Sequence, residues 1–220
     1  MIKTKIILTR FSHDGRLLER REQESRSWLR HFFDSLYPLA SATDLPLIND
    51  IGGAARTISQ KPADNGGVYG PSPNLVVGSP PGNIQQLIVN ASVATPQYCG
   101  TTQKGDDIGI VVGTGVVAAA PSDDALGTKI LHGEGAGTLL YGGTELYGLT
   151  FVNPNGQFTI RRYFTNVLGG NIDVTEVGIY SPAAVGASCY LFCIARDVFA
   201  PVTVANTELL RVTYVVQITV

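Results

Sequence analysis

The sequence predicts a mainly β protein: an antiparallel β-sandwich or jelly-roll-like domain, preceded by an N-terminal β-hairpin, one helix and a long irregular arm. Three observations carry this prediction. Leu210, Val212, Tyr214, Val216, Ile218 and Val220 occupy every second position, the period of a strand with one buried face. Short apolar runs separated by turn residues recur through the second half of the chain. Finally, 25 Gly and 12 Pro among 220 residues accompany only 15% charged residues, against roughly 25% in an ordinary soluble domain. With a mean hydropathy of +0.14, the chain is too apolar and too weakly charged for general disorder, and it has much uncharged surface for partners to cover.

The elements follow in order. Met1 to Gln23 reads as a hairpin, with apolar runs at Ile2–Leu8 and Leu17–Leu18 joined by His13-Asp14-Gly15. The Asp-Gly pair suits a turn that needs positive φ, which Gly reaches without steric cost. A helix is expected next, capped by Ser25 or Ser27 and ended near Pro38, with Trp28, Leu29, Phe32, Phe33 and Leu36 on one stripe. That stripe holds the single Trp and two of the eight Phe, so these five residues are candidate interface residues, packing on the sandwich or on another subunit.

From Thr43 to Pro81 breakers crowd together, among them Gly52-Gly53, Gly66-Gly67 and Pro71-Ser72-Pro73. A structureless stretch of this length is uncommon inside a compact domain. It reads as an extended arm ordered on a neighbouring chain, or alternatively as a flexible linker. From Asn83 onward the pattern is β: strands are expected at Ile108–Val112, within Leu139–Val152, at Gln157–Phe164, at Asn171–Tyr180, at Cys189–Phe199 as a central strand, and at the C-terminal alternating run. In Asn171–Tyr180 the apolar phase changes between Ile172/Val174 and Val177/Ile179, which predicts a bulge near Thr175-Glu176. Asp123 to Leu131 has a helical look, with Ser122 or Asp123 as cap. The chain thus divides into a hairpin and amphipathic helix over 1–42, an arm over 43–82 and a sandwich over 83–220.

Charge and chemistry narrow the function. Net charge is −2, but residues 1–34 hold 8 of the 16 Lys and Arg against 5 acids. That asymmetry reads as a solvated hairpin and helix or as an arm docking on an acidic neighbour, and the chain as a whole has no pull toward nucleic acid. Cys99, Cys189 and Cys193 do not form a disulfide framework; reduced thiols fit folding in a cytoplasm. No signal peptide and no membrane helix is expected. The Gly113-Thr114-Gly115 and Gly133–Gly137 clusters lack the Lys of a phosphate loop, the three His have no partners at ligand spacing, and no nucleophile elbow is present. No catalytic, cofactor-binding or metal-ligating set is therefore expected. Glu176, inside the apolar run IDVTEVGIY, would be costly to bury unpaired, so a structural ion pair with Arg162 or Arg196 is expected.

The runs GTGVVAAAPSDDALGTKI (113–130), FTIRRYFTN (158–166), NIDVTEVGIY (171–180), CIARDVF (193–199) and ELLRVTYVVQITV (208–220) together resemble a module of tailed-bacteriophage virion proteins. That module joins a G-x-G…D-x-x-L turn to E-x-G-[IL]-[YF] and ARDV elements and a closing L-x-V-x-Y strand. The opening DGRLLERREQESRSWLRHFFDSLY (14–37) is similar to the start of such proteins. The resemblance implies a non-enzymatic structural protein of a tailed virus particle, made in the host cytoplasm. It would assemble as a symmetric homo-oligomer with other virion structural proteins, as head decoration, neck or collar, or tail attachment, without nucleic-acid or membrane contact. The competing expectation is a receptor- or carbohydrate-binding module of a tail fibre, for which Tyr69, Tyr98, Tyr141 and Tyr147 are the aromatic candidates.

Overall fold

Thirteen strands order the chain in a computed structural model that describes residues 2–25, 28, 32–33, 45–61, 74–77, 82–84, 108–152, 155–185 and 188–219. They are β1 (Ile2–Phe11), β2 (Leu17–Ser25), β3 (Leu45–Asn49), β4 (Ala55–Lys61), β5 (Asn74–Val77), β6 (Gly82–Ile84), β7 (Gly109–Gly113), β8 (Leu140–Tyr141), β9 (Glu145–Val152), β10 (Asn155–Thr165), β11 (Ile172–Val185), β12 (Ser188–Val204) and β13 (Leu209–Thr219). All strand pairings are antiparallel. The first sheet runs β2-β1-β13-β10, with β8 and β9 both on the far side of β10; the second runs β12-β11-β7.

The two sheets form a β-sandwich because their inner faces share one apolar cluster. Ile6, Leu8, Ile160, Phe164, Leu210, Val212 and Tyr214 come from the first sheet, and Ile110, Val112, Val174, Val177, Ile179, Ile194 and Val202 from the second. The alternation of β13 is realised, with Leu210, Val212, Tyr214 and Val216 all inside. The β1–β2 turn also forms as expected: the Ser12 amide donates to Arg16 O at 2.9 Å, and Gly15 sits at φ 82°. Because β1 pairs with β13 from Ile2↔Ile218 to Phe11↔Leu209, the hairpin is a structural part of the sandwich rather than an appendage to it.

The predicted bulge is present. The β11–β12 register slips between Val174 and Glu176, and the slip restores phase, so that Ile172, Val174, Val177 and Ile179 all face the core. Thr175 and Glu176 instead turn toward the loop over 114–128.

Four expectations are corrected or fall elsewhere. Residues 123–131 contain no helix; they form turns that lie along β7. β12 is largely apolar apart from Arg196 and Asp197, but it is an edge strand, with β11 in the centre. The stretch read as an irregular arm contains a third, four-stranded sheet, β3-β4-β5-β6. Gly52-Gly53 marks a turn: the Asp50 carboxylate accepts the Gly52 and Ala54 amides at 2.9 and 3.0 Å, and Gly53 takes φ 77°. The Gly66-Gly67 and Pro71-Ser72-Pro73 breakers lie outside the described residues. Of the expected N-terminal helix, Phe32 and Phe33 are helical, Trp28 forms a β-bridge to Ala195, and Leu29 and Leu36 lie outside the described residues.

Three of the four sandwich edges are protected against further strand addition. On β2, Glu19, Arg20, Arg21 and Glu22 make ion pairs with one another and with Lys5 and Arg10. Along β12, Trp28 bridges Ala195, and the Ile51 amide donates to Leu191 O at 2.8 Å. Along β7, Thr114 N donates to Thr128 O at 2.8 Å and Ile130 N donates to Val112 O at 2.9 Å.

Candidate functional site

The residues that carry the resemblance meet in one buried network on the outer side of β11. Glu176 is fully buried, and its carboxylate accepts three backbone amides: Gly115 at 2.8 Å, Thr128 at 2.8 Å and Gly127 at 3.0 Å. Arg196, on the neighbouring strand β12, donates to it through Nε at 3.0 Å and stands at 3.0 Å through Nη2. The same guanidinium donates to Asp123 at 2.6 Å and to the Val117 carbonyl at 3.0 Å. Burial works against the charge on Arg196, but the Asp123 and Glu176 carboxylates outweigh it and hold its pKa above the ordinary value.

The glycines of this network are required by close approach. A Cβ on Gly113 would stand 2.4 Å from Glu176 Oε1, and one on Gly115 would stand 2.5 Å from the same oxygen. Asp123 Oδ2 also accepts the Ala120 amide at 2.8 Å, which tightens the turn that the sequence suggested as a helix cap. Thr175 Oγ1 donates to Gly115 O at 2.9 Å, and Leu126 N donates to the Tyr180 hydroxyl at 3.0 Å. Asp197, next to Arg196, accepts Ser25 Oγ at 2.8 Å and the Tyr214 hydroxyl at 3.3 Å, which ties β2 and β13 to β12 beside this site.

Chemically, this arrangement is a clamp. The paired charges are hydrogen-bonded as burial demands, and no face of Glu176 meets solvent. What the clamp holds is the loop that carries Val116 and Val117, exposed at 73% and 74%. These side chains are presented on a rigid base, although apolar and outside.

The structure brings Glu176 together with Arg196 and not with Arg162. Arg162 shares register with Ile160 and Phe164 on the core face of β10. There it donates to the carbonyls of Gly142 at 2.7 Å and of Ile108 and Ile110 at 2.8 Å, stacked 4.8 Å from the Tyr141 ring. Of the interface candidates, Trp28 and Phe32 stack 4.3 Å apart and pack against the chain's own core, and Trp28 Nε1 donates to Thr4 Oγ1 at 2.6 Å. Phe33 is exposed.

Among the tyrosines weighed for ligand binding, Tyr141 is buried and donates to Ile130 O at 2.6 Å. Tyr147 lies on β9, with Arg161 stacked 4.3 Å over its ring and its hydroxyl on Glu145 at 2.7 Å. Tyr69 and Tyr98 lie outside the described residues. Burial raises the pKa of the Cys193 thiol far above its usual value, so it stays protonated and unreactive.

Sequence reasoning expected strand within Leu139–Val152, where β9 lies, but it missed the exposure of Leu146, Tyr147, Leu149, Phe151 and Val152 on that strand. It also missed Asp123 as the second partner of Arg196. Comparison with protein-family models, curated proteins and solved structures finds no match for this chain.

Proposed function

We propose that this chain is a non-enzymatic structural subunit of a tailed virus particle, present in symmetric copies and held there by other virion subunits. The observation that carries the reading is the exposed apolar surface of β9, where five of eight side chains are large, apolar and open to solvent. Surfaces of this kind are uncommon on lone soluble proteins and usual where a partner docks. The Val116–Val117 tip, fixed by the Glu176–Arg196 clamp, is a second contact point that loses little entropy on docking. The low overall charge fits a subunit enclosed by neighbours, and the resemblance of the motif ensemble supplies the setting.

Head, neck or collar, and tail attachment are all compatible with these features. The carbohydrate-binding alternative draws, among the described residues, on Tyr147 alone, whose ring face is already taken by Arg161. The test is antibody labelling of purified tailed particles produced from the genome that encodes the chain, imaged by electron microscopy. The expected result is label at discrete, symmetry-related positions on the particle. Particles free of label, with the chain recovered only in the soluble fraction, would overturn the proposal.

A further inference from the structure

Among the described residues, β9 is the one of the four sandwich edges without a guard. β2 is charged, β12 is bridged by Trp28 and Ile51, and β7 is covered by residues 128–130. Among the described residues β9 pairs only with β10, and from Leu146 to Val152 it carries no charge. An open, apolar edge strand is a template for another strand.

We propose that β9 is a self-association edge: it pairs antiparallel with β9 of a second copy about a two-fold axis, which joins the two larger sheets into one. Three features select a second copy paired in this way. The opposite edge of the same sheet, β2, is lined with charge, so head-to-tail addition of β9 onto β2 would desolvate Glu19, Arg20, Arg21 and Glu22, whereas residues 146–152 paired with their own copy bring no charge into the joint. The strand's single charge, Glu145, sits at one end and is neutralised within its own chain by Arg161 at 2.8 Å. Antiparallel pairing carries the two Glu145 residues to opposite ends of the joint, roughly 20 Å apart at about 3.3 Å per residue.

The third feature is self-complementarity. Leu146 stands opposite Ile160 and Phe151 opposite Gly156, both positions on the core face of β10, and an irregularity of β9 between them keeps Leu146 and Phe151 on one face. A two-fold axis near Gly148-Leu149 sets Leu146 of each copy against Phe151 of the other, an aliphatic–aromatic cross-strand pair made twice.

The experiment is analytical ultracentrifugation of the full chain over a concentration series, beside the variant Leu149→Lys with Phe151→Lys and the control Arg20→Glu on β2. Both residues of the variant are more than half exposed, so its melting is expected to match the parent. The parent and the control should reach twice the chain mass, and the double variant should stay at the single-chain mass. Amide exchange should show β9 protected in the parent and open in the variant.

A parent that remains a single chain at every concentration, a double variant that still dimerises, or a larger ring formed through β9 would each overturn the proposal. The pairing rests on the edge and not on the virion reading. Failure to dimerise defeats the former alone, and absence from particles defeats the latter alone.

Discussion

Leu126 closes over Gly178: a Cβ added at Gly178 would stand 2.5 Å from Leu126 Cδ1 and 2.9 Å from the Ala195 carbonyl oxygen. The residue that ends the D-x-x-L turn thus rests on the one position of β11 that has no side chain. Gly178→Ala should destabilise the fold by about 1–3 kcal/mol through overpacking, and Leu126→Ala by about 2–5 kcal/mol through the space it leaves. In one chain the new methyl group partly fills that space, so the double variant should be more stable than the sum of the two losses by on the order of 1 kcal/mol. Urea unfolding of the four chains measures this; strict additivity would show that the two residues do not touch.

Removing the charge of Glu176 leaves Arg196 partly unpaired in a buried site and sets an amide N–H against backbone donors. Glu176→Gln should cost about 3–5 kcal/mol, read as a melting temperature lower by roughly 10 °C for a chain of this size. Asp123→Asn should cost less, because its side chain is 25% exposed. Unchanged melting of Glu176→Gln would remove the clamp from the account.

Alkaline pH should unfold the protein through its buried phenols. Burial raises Tyr180 and Tyr214 far above their ordinary value, with Asp197 adding to the effect on Tyr214. In the unfolded chain these groups release their protons near pH 10, roughly the free phenol value, while in the folded chain they keep them. Their contribution is therefore fully present below about pH 10 and lost as pH rises beyond it. Melting followed against pH, with phenolate absorbance as a second signal, should show these two tyrosines ionising only as the fold is lost. Early ionisation in the native protein would contradict the burial.

Deleting residues 1–82 should abolish folding rather than release an independent sandwich. The deletion removes β1 and β2, takes Ile6 and Leu8 out of the core, and leaves one side of β13 without its partner. Circular dichroism and cooperative melting of the truncated chain check this. A cooperative, fully folded fragment would mean that β13 tolerates an open edge.

Much of this architecture was legible because strand period is a strong signal. The alternation from Leu210 to Val216 and the phase change around Thr175-Glu176 each translate directly into burial. Arg162 was also within reach: it shares parity with Ile160 and Phe164, but its charge suggested Glu176 as partner, because its actual partners, the carbonyls of Gly142, Ile108 and Ile110, are backbone groups that leave no mark in the sequence. Asp123 suggested a helix cap because a capping acid and an ion-pair acid look alike until the distant Arg196 arrives. Residues 43–82 suggested an arm because Gly and Pro punctuate hairpins as densely as they punctuate disorder. The mostly apolar residues of β12 suggested a central strand, since a strand covered by Trp28 and Ile51 is as well shielded as one between two neighbours.

The position of β13 has a consequence for biosynthesis. It is the last strand in chain order, yet it lies between β1 and β10, with pairs such as Leu8↔Val212 spanning nearly the whole sequence. A ribosome delivers the hairpin early and its mate late, so Ile6 and Leu8 must wait, uncovered, while the chain between β2 and β13 is made. Contacts this distant along the chain slow folding and lengthen that exposure. The nascent protein is accordingly a natural client for chaperones that bind extended apolar segments, and premature termination before Leu209 leaves a product that cannot close its larger sheet.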